Sequence, residues 1–391
     1  MQSRTPVFLA LLLFVLAACA TQPTNIAKVE RGAMITLLGT DTLALEQFEY
    51  TPAALRADAV IRSPQTQLSH YFLQFNQTGG LYRYEATTET PAGETLRREV
   101  YEPTPTGDSV QVTLTEGGRT EQRRIARQEP MLPFVEMVHW PFELMLRRAD
   151  ATRQDSLVQT LFTERGLLSF VVRKTGSGEM TVTHPYRGTM EVKVDDDGQL
   201  IQLDAGATTR KLTVKRLYNV DVDRFAQHFA AQENAGHPFG PLSGRGTAEA
   251  TVQGAHLKLD YGQPAKRGRE IFGTLVPWNE VWRTGANRAT HLATDRTLRF
   301  GDLDVPPGEY TLFTIPAPSG GTLIISRQTG QNGNAYDPTH DLGRVPMRIG
   351  KLAAPVELFT IQVQETPDGG ALHLQWDRAQ FTVPFTVTAA N

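Results

Sequence analysis

The feature that most constrains this chain is a two-residue hydrophobic period that recurs from about Met34 onward, cut at short intervals by glycine-bearing turns. Met190, Val192 and Val194 alternate with Glu191, Lys193 and Asp195, and Leu212 and Val214 alternate with Lys211, Thr213 and Lys215. Successive side chains of a strand point to opposite faces, so each run predicts a strand with one buried and one wet face. Leu68–Phe75, Leu81–Thr87, Val110–Thr115 and Leu167–Arg173 add β-branched and aromatic runs of strand length. Gly79-Gly80, Gly117-Gly118 and Asp197-Gly198 mark hairpins, because tight two-residue turns need positive φ. The prediction is an antiparallel meander from residue 34 to about 217.

Two segments break the period. Met131–Arg148 is apolar nearly all round, carrying Phe134, Trp140 and Phe142, with Pro133 and Pro141 placed as first-turn prolines of two helices. A helix apolar on every side must be buried, so this segment is expected to plug the concave face of the sheet. It either completes the core or forms a lid over a cavity for an apolar ligand. Asp221–Gln232 reads as a short amphipathic helix, with Phe225 and Phe229 one turn apart. The Gly/Pro-rich stretch 234–241 then divides the chain, and a second series of short strands runs from Ala255 to Val387. With 391 residues, 40% hydrophobic and 21% charged, the chain has material for two cores and is not a disordered polymer. The expected fold class is all-β dominated (β with minor α): an N-terminal curved antiparallel sheet with a buried helical segment, and a C-terminal β-sandwich or barrel. The N-terminal β-rich domain is placed at 34–235 and the C-terminal one at 245–391.

The first residues read as an export signal, 1–18. Arg4 supplies the positive end, and Val7–Leu16 is apolar but too short to span a bilayer. Leu16-Ala17-Ala18-Cys19 resembles a bacterial lipobox, which makes Cys19 the expected lipidation site and 19–33 a lipidated tether. Cys19 is the only cysteine in the chain, so an internal disulfide, a cysteine metal cluster and a thiol nucleophile elsewhere are all excluded. No acidic run follows it in Thr21–Ile26, which points to the outer membrane, facing the periplasm. The expected partners are the membrane, through the anchor at Cys19, and a small polar ligand or an envelope protein. A formal net charge of −3 offers no bulk attraction for nucleic acid.

Motifs for chemistry are few. A nucleophile elbow, a P-loop, a His-Glu-x-x-His helix and a dinucleotide glycine fingerprint are all missing, and the nine histidines are scattered. No cofactor is implied, and no metal. What stands out is Gly273-Thr274-Leu275-Val276-Pro277-Trp278 followed by Trp282-Arg283-Thr284-Gly285-Ala286-Asn287. With Tyr261-Gly262-Gln263-Pro264, Gly268-Arg269, Pro307–Pro316, Tyr336-Asp337, Asp341 and Glu357–Ile361, these resemble, in order, the family called domain of unknown function 2911. The likeness covers about 245–391. It implies an exported or lipid-anchored β-rich domain and no assigned activity.

The ligand-binding candidates are Trp282, Arg283, Thr284, Asn287, Tyr336, Asp337 and Asp341. Trp282 offers a flat apolar face, Arg283 a fork of donors, Thr284 a hydroxyl and Asn287 both a donor and an acceptor. The competing reading is a structural corner, in which Trp282 packs the core and Arg283 pairs with Asp337 or Asp341. Three function classes remain open at this point. The first is a binding module for a small polar or saccharide-like ligand, or for an envelope partner. The second is a hydrolase using carboxylates near Trp282, with Asp260, Asp337, Asp341, His340 and Glu357 as candidates. The third is a lipid- or hydrophobic-ligand-handling protein acting through the N-terminal half-barrel.

Overall fold

The computed structural model describes residues 29–388, so the segment read as an export signal and Cys19 lie outside the described residues. The chain is all-β, as the period-two pattern predicts: two large sheets and two α-helices among the described residues.

The first sheet has fifteen strands and consists of two meanders joined along one seam. Eight strands run in simple up-and-down order from Glu30–Leu38 to Arg119–Ala126. A second series runs from Ser156–Thr163 to Thr213–Leu217, which pairs back onto Glu30–Leu38 with Met34 opposite Arg216. Strand Gly188–Val194 buries Met190, Val192 and Val194 and exposes Glu191 and Lys193, the alternation written in its sequence. The sheet curls until its ends approach: Arg97 Nη2 lies 2.8 Å from Glu164 Oε2, and Arg123 Nη1 donates to the Glu164 carbonyl at 3.3 Å. No ladder among the described residues joins the two edge strands, so the barrel stays open.

The concave face is plugged by helix α1, Trp140–Ala151, with Pro141 in its first turn. Trp140 has no exposed surface and packs 5.5 Å from the Tyr71 ring, while Phe142 meets Phe170 edge-on at 5.7 Å. His139, at the N-cap, makes no side-chain cap; Glu46, from the facing strand Asp41–Tyr50, accepts instead from the His139 and Trp140 N–H groups. Inside the helix, Glu143 is fully buried, paired with Arg147 and Arg216 at 3.1 Å each. Helix α2, Val222–Asn234, is capped by Asp221, which accepts from Arg224 N at 3.0 Å. It lies on the sheet's other face, where Val222, Ala226 and Phe229 pack on Ala33, Leu45 and Val60.

One expectation needs correction. Met131–Arg148 is buried as a whole region but is not helical throughout: Met131–Pro133 is a short strand running parallel to Ser156–Thr163. Pro133 lacks an N–H, which an edge strand tolerates and a helix interior does not, and Phe134 N continues the ladder to the Phe162 carbonyl at 2.8 Å. Met137, at φ 64°, then ends any helical path before His139.

The second sheet has nine strands, starting with Ser243–Val252, and bends over its own core. Its two longest strands, Asp341–Thr366 and Gly369–Val387, pair with register breaks between Lys351 and Thr360 that let the sheet fold into a sandwich-like shape. Tyr261 ties the facing halves: its hydroxyl accepts from Ile361 N at 3.1 Å, and its ring meets Phe359 edge-on. The stretch between the sheets is not a free tether. Phe239 is buried against the first core, and Arg267 donates to its carbonyl at 2.8 Å with the guanidinium 3.7 Å above its ring.

Candidate functional site

Strand Ala255–Pro264 and strand Thr290–Thr294 are neighbours in the sheet, yet 25 residues separate them. That excursion contains the tryptophan motif. Trp282 forms an isolated bridge to Thr314, with N–H to carbonyl distances of 2.7 and 2.9 Å in the two directions. Its ring stacks on Trp376 at 6.0 Å and meets Phe359 edge-on at 5.1 Å, which fixes its orientation. The chain then turns sharply. Thr284, Gly285 and Asn287 all have positive φ, and a Cβ at Gly262 would sit 1.8 Å from the Ala286 carbonyl oxygen. Only glycine allows that approach.

The turn decides which candidates face away from the core. Thr284 faces inward, fully buried, and donates to Thr314 Oγ1 at 3.1 Å, so its hydroxyl holds the corner together. Arg283 and Asn287 point the other way. Arg283 is half-buried and donates to Asn334 Oδ1 at 3.0 Å; no carboxylate among the described residues pairs with it. The expected partners Asp337 and Asp341 are engaged elsewhere. Asp337 caps a short turn by accepting from Thr339 N and Oγ1, contacts that hold its carboxyl below the usual carboxylate range. Asp341 accepts from Tyr336 OH at 2.9 Å and pairs with Arg344.

Trp282, Arg283, Asn287 and Tyr336 line one cavity of about 480 Å³, which opens between the two sheets. Its floor is Trp282 with Trp376, and its far wall belongs to the first sheet: Leu38, Arg187 and the segment 207–212. Five cationic side chains line it, Arg187, Arg210 and Lys211 from the first sheet and Arg269 and Arg283 from the second, with no Asp, Glu or His among the lining residues. Arg187 and Arg210 share Glu136, the one carboxylate among the described residues bonded to any of the five. Burial, followed by the nearby charges of Arg269 and Arg283, pushes the Lys211 ammonium below the usual lysine range. Arg283 is likewise lowered by burial.

The carboxylates considered for hydrolysis do not converge here. Asp260 pairs with Arg245, a bond that keeps it low, and Glu357 accepts from Arg267 N at 2.7 Å. His340 sits beside Asp337 at 3.3 Å, on the surface. Among the described residues, no three His, Cys, Asp or Glu side chains cluster as a metal-binding group.

Arg267 is the residue that sequence reasoning passed over. It donates to Asp41 Oδ2 at 3.1 Å as well as to the Phe239 carbonyl, while Thr40 N donates to its own carbonyl at 3.1 Å. A Cβ on Gly39 would lie 2.0 Å from that carbonyl, so the sheets touch backbone to backbone. This contact closes the cleft along one edge. The only signal was the run Lys266-Arg267-Gly268-Arg269, basic residues beside a glycine.

Fold and cleft together define an all-β protein of two sheets with a cation-lined cavity between them. Residues 243–385 match the model of a family described as a protein of unknown function (DUF2911), which covers the whole tryptophan motif and the second sheet. No curated protein matches the chain. Among solved structures, a beta-barrel-like protein of domain of unknown function DUF1849 from Brucella abortus aligns over 48% of this chain and 95% of its own, at 10% identity and TM-score 0.33. A putative AttH from Nitrosomonas europaea aligns over 96% of this chain and 99% of its own, at 10% identity and TM-score 0.11.

Proposed function

We propose that this chain is a binding protein of the cell envelope that holds a small polar ligand in the cleft between its two sheets. The observation that carries the reading is Arg283. It is a half-buried guanidinium, fixed by Asn334 at the rim of an aromatic floor, with no carboxylate partner among the described residues. A structural arginine is ordinarily paired when it is desolvated. One that faces a cavity beside an open amide, Asn287, is placed to be paired by a ligand. Titrating the full chain with neutral sugars, carboxylic acids and phosphates, and following Trp282 and Trp376 fluorescence, tests this. Arg283→Ala and Asn287→Ala should lose the response; a response unchanged in both variants, or none from any ligand class, removes the proposal.

The proposed setting is the outer membrane, on its periplasmic side, through a lipid anchor at Cys19. Cys19→Ser should then fail to take up labelled palmitate. Equal labelling of parent and variant would refute the anchor. Among the described residues no helix is long and apolar enough to cross a membrane.

A second reading has one observation in its favour. A cavity of about 760 Å³ opens in the first sheet beside the plug, lined by Tyr71, Tyr84, Phe134, Phe162 and Leu168 together with charged side chains such as Arg97, Glu99 and Glu164. Such a lining suits a ligand with an apolar body and a polar head, such as a fatty acid. Displacement of a neutral naphthylamine dye by fatty acids, abolished in Leu168→Asp, is the expected result if this cavity is used.

A further inference from the structure

We infer that the ligand of the interdomain cleft is a soluble polyanion, a small molecule bearing two or more phosphate or carboxylate groups, gripped by cations from both sheets at once. This rests on the cleft reading above and adds the chemistry of the occupant. Arg187, Arg210 and Lys211 stand on one wall, and Arg269 and Arg283 on the other. Collecting like charges in a partly desolvated cavity is unfavourable unless something of opposite sign balances them. The chain balances them only in part: Asp41 and Glu357 lie near enough to act on Arg269 without bonding it, and Lys211 and Arg283 have no carboxylate bonded to them among the described residues. Glu136 serves Arg187 and Arg210 together, whereas Lys211 makes its contact to the Gly206 carbonyl and Arg269 makes its contacts to the Lys266 and Ala265 carbonyls. Carbonyl contacts orient these two groups without neutralising them.

The geometry argues for more than one anionic group. The cations come from opposite walls of a 480 Å³ cavity, so a single carboxylate bound at one wall leaves the other unbalanced. Neutral donors line the same cavity, the hydroxyls of Thr209 and Ser243 and the Asn287 amide, and these suit the remaining phosphate or carboxylate oxygens. The Arg187 fork is taken up by Glu136, but the Arg210 and Arg283 guanidiniums each make a single side-chain bond and keep further N–H groups, one on either wall, for such anions. A ligand held this way also cross-links the sheets, and its binding is expected to stiffen the junction that Arg267 makes.

The test is a fluorescence and calorimetric titration of the full chain at low ionic strength. The probes are inorganic tripolyphosphate, citrate, neutral maltotriose and vesicles containing phosphatidylglycerol. Saturable one-site binding of tripolyphosphate or citrate is expected, weakening as salt is added. Lys211→Gln on one wall and Arg283→Gln on the other should each lower the affinity at least tenfold, with Arg283→Lys recovering part of the loss. Should one variant fail to fold, the variant on the opposite wall still decides. Anion binding that neither variant weakens overturns the inference, as does binding to vesicles alone, which would indicate a membrane surface. Binding of maltotriose without either anion overturns the polyanion while leaving the cleft reading in place. Silence from all four probes removes both.

Discussion

Glu46 offers the sharpest test of how the first sheet holds its plug. The carboxyl is buried, has no cationic partner among the described residues, and accepts from His139 N at 2.9 and 3.0 Å and from Trp140 N at 3.4 Å. Burial pushes its pKa from 4.5 up to about 8, over the opposing pull of those two N–H groups, and the neighbouring Glu143 adds to the rise. In the unfolded chain the group titrates near its ordinary value. Between those two values the native state keeps a proton that the unfolded state has lost, so stability falls as pH rises. Integrated from about pH 6.5 to pH 8, the loss is on the order of 1–2 kcal/mol. His139 works in the opposite direction at lower pH. Burial holds its pKa down at about 4, so its neutral form adds stability as pH climbs toward 6.5 and changes nothing above that. Glu46→Gln substitutes a permanently neutral group of the same shape. Urea denaturation of parent and variant at several pH values, followed by fluorescence and circular dichroism, gives a difference in which unaltered groups cancel. That difference should shift in the variant's favour by roughly 1–2 kcal/mol between pH 6.5 and pH 8. A constant difference across that interval would refute the buried, proton-holding carboxyl.

Trp140→Ala removes a fully buried indole from the plug and should cost about 3–5 kcal/mol in urea unfolding, whereas a mobile lid would lose far less. Arg283→Ala gives up one hydrogen bond to Asn334 and strands no carboxylate, so a loss of only about 1 kcal/mol and a melting temperature within a few degrees of the parent are expected. Arg267→Ala breaks the Asp41 pair and the bond to Phe239; calorimetry should then resolve two transitions closer to those of separate sheets. Limited proteolysis should nick the exposed stretch 234–238 and spare Phe239, with faster cutting in the Arg267 variant.

The strands were legible because their evidence is local. Met190, Val192 and Val194 announce one buried face within seven residues, and Asp221 announces the start of α2 through a cap that lies three residues from its partner. The plug was legible only in part. Its burial shows in composition, but the division at Pro133 depends on a parallel partner, Ser156–Thr163, more than twenty residues further along the chain. The cap of α1 was out of reach for the same reason: His139 has no capping side chain, and Glu46, which does the work, lies 93 residues away. A glutamate in the middle of an alternating strand reads as an outward-facing residue until the helix that covers it is known.

The site divides along the same line. Trp282, Arg283 and Asn287 could be singled out because aromatic, guanidinium and amide groups crowd into six residues around a glycine. Thr284 was chosen on equal grounds, yet its positive φ turns the hydroxyl into the core, and residue type alone carries no such information. The other half of the cleft left no local mark. Arg187 sits at a hairpin turn, and Arg210 and Lys211 precede the strand Thr213–Leu217, where sequence reads them as ordinary solvated charges. They become a wall only because the seam between the two meanders brings Leu38 and the segment 207–212 to the same edge, and Arg267 then docks the second sheet against that edge. Each sheet alone presents three or two cations to water, an arrangement with no cost to explain. Docked, the same five face one another across a cavity, and the balance of charge becomes a property that neither half of the sequence encodes by itself.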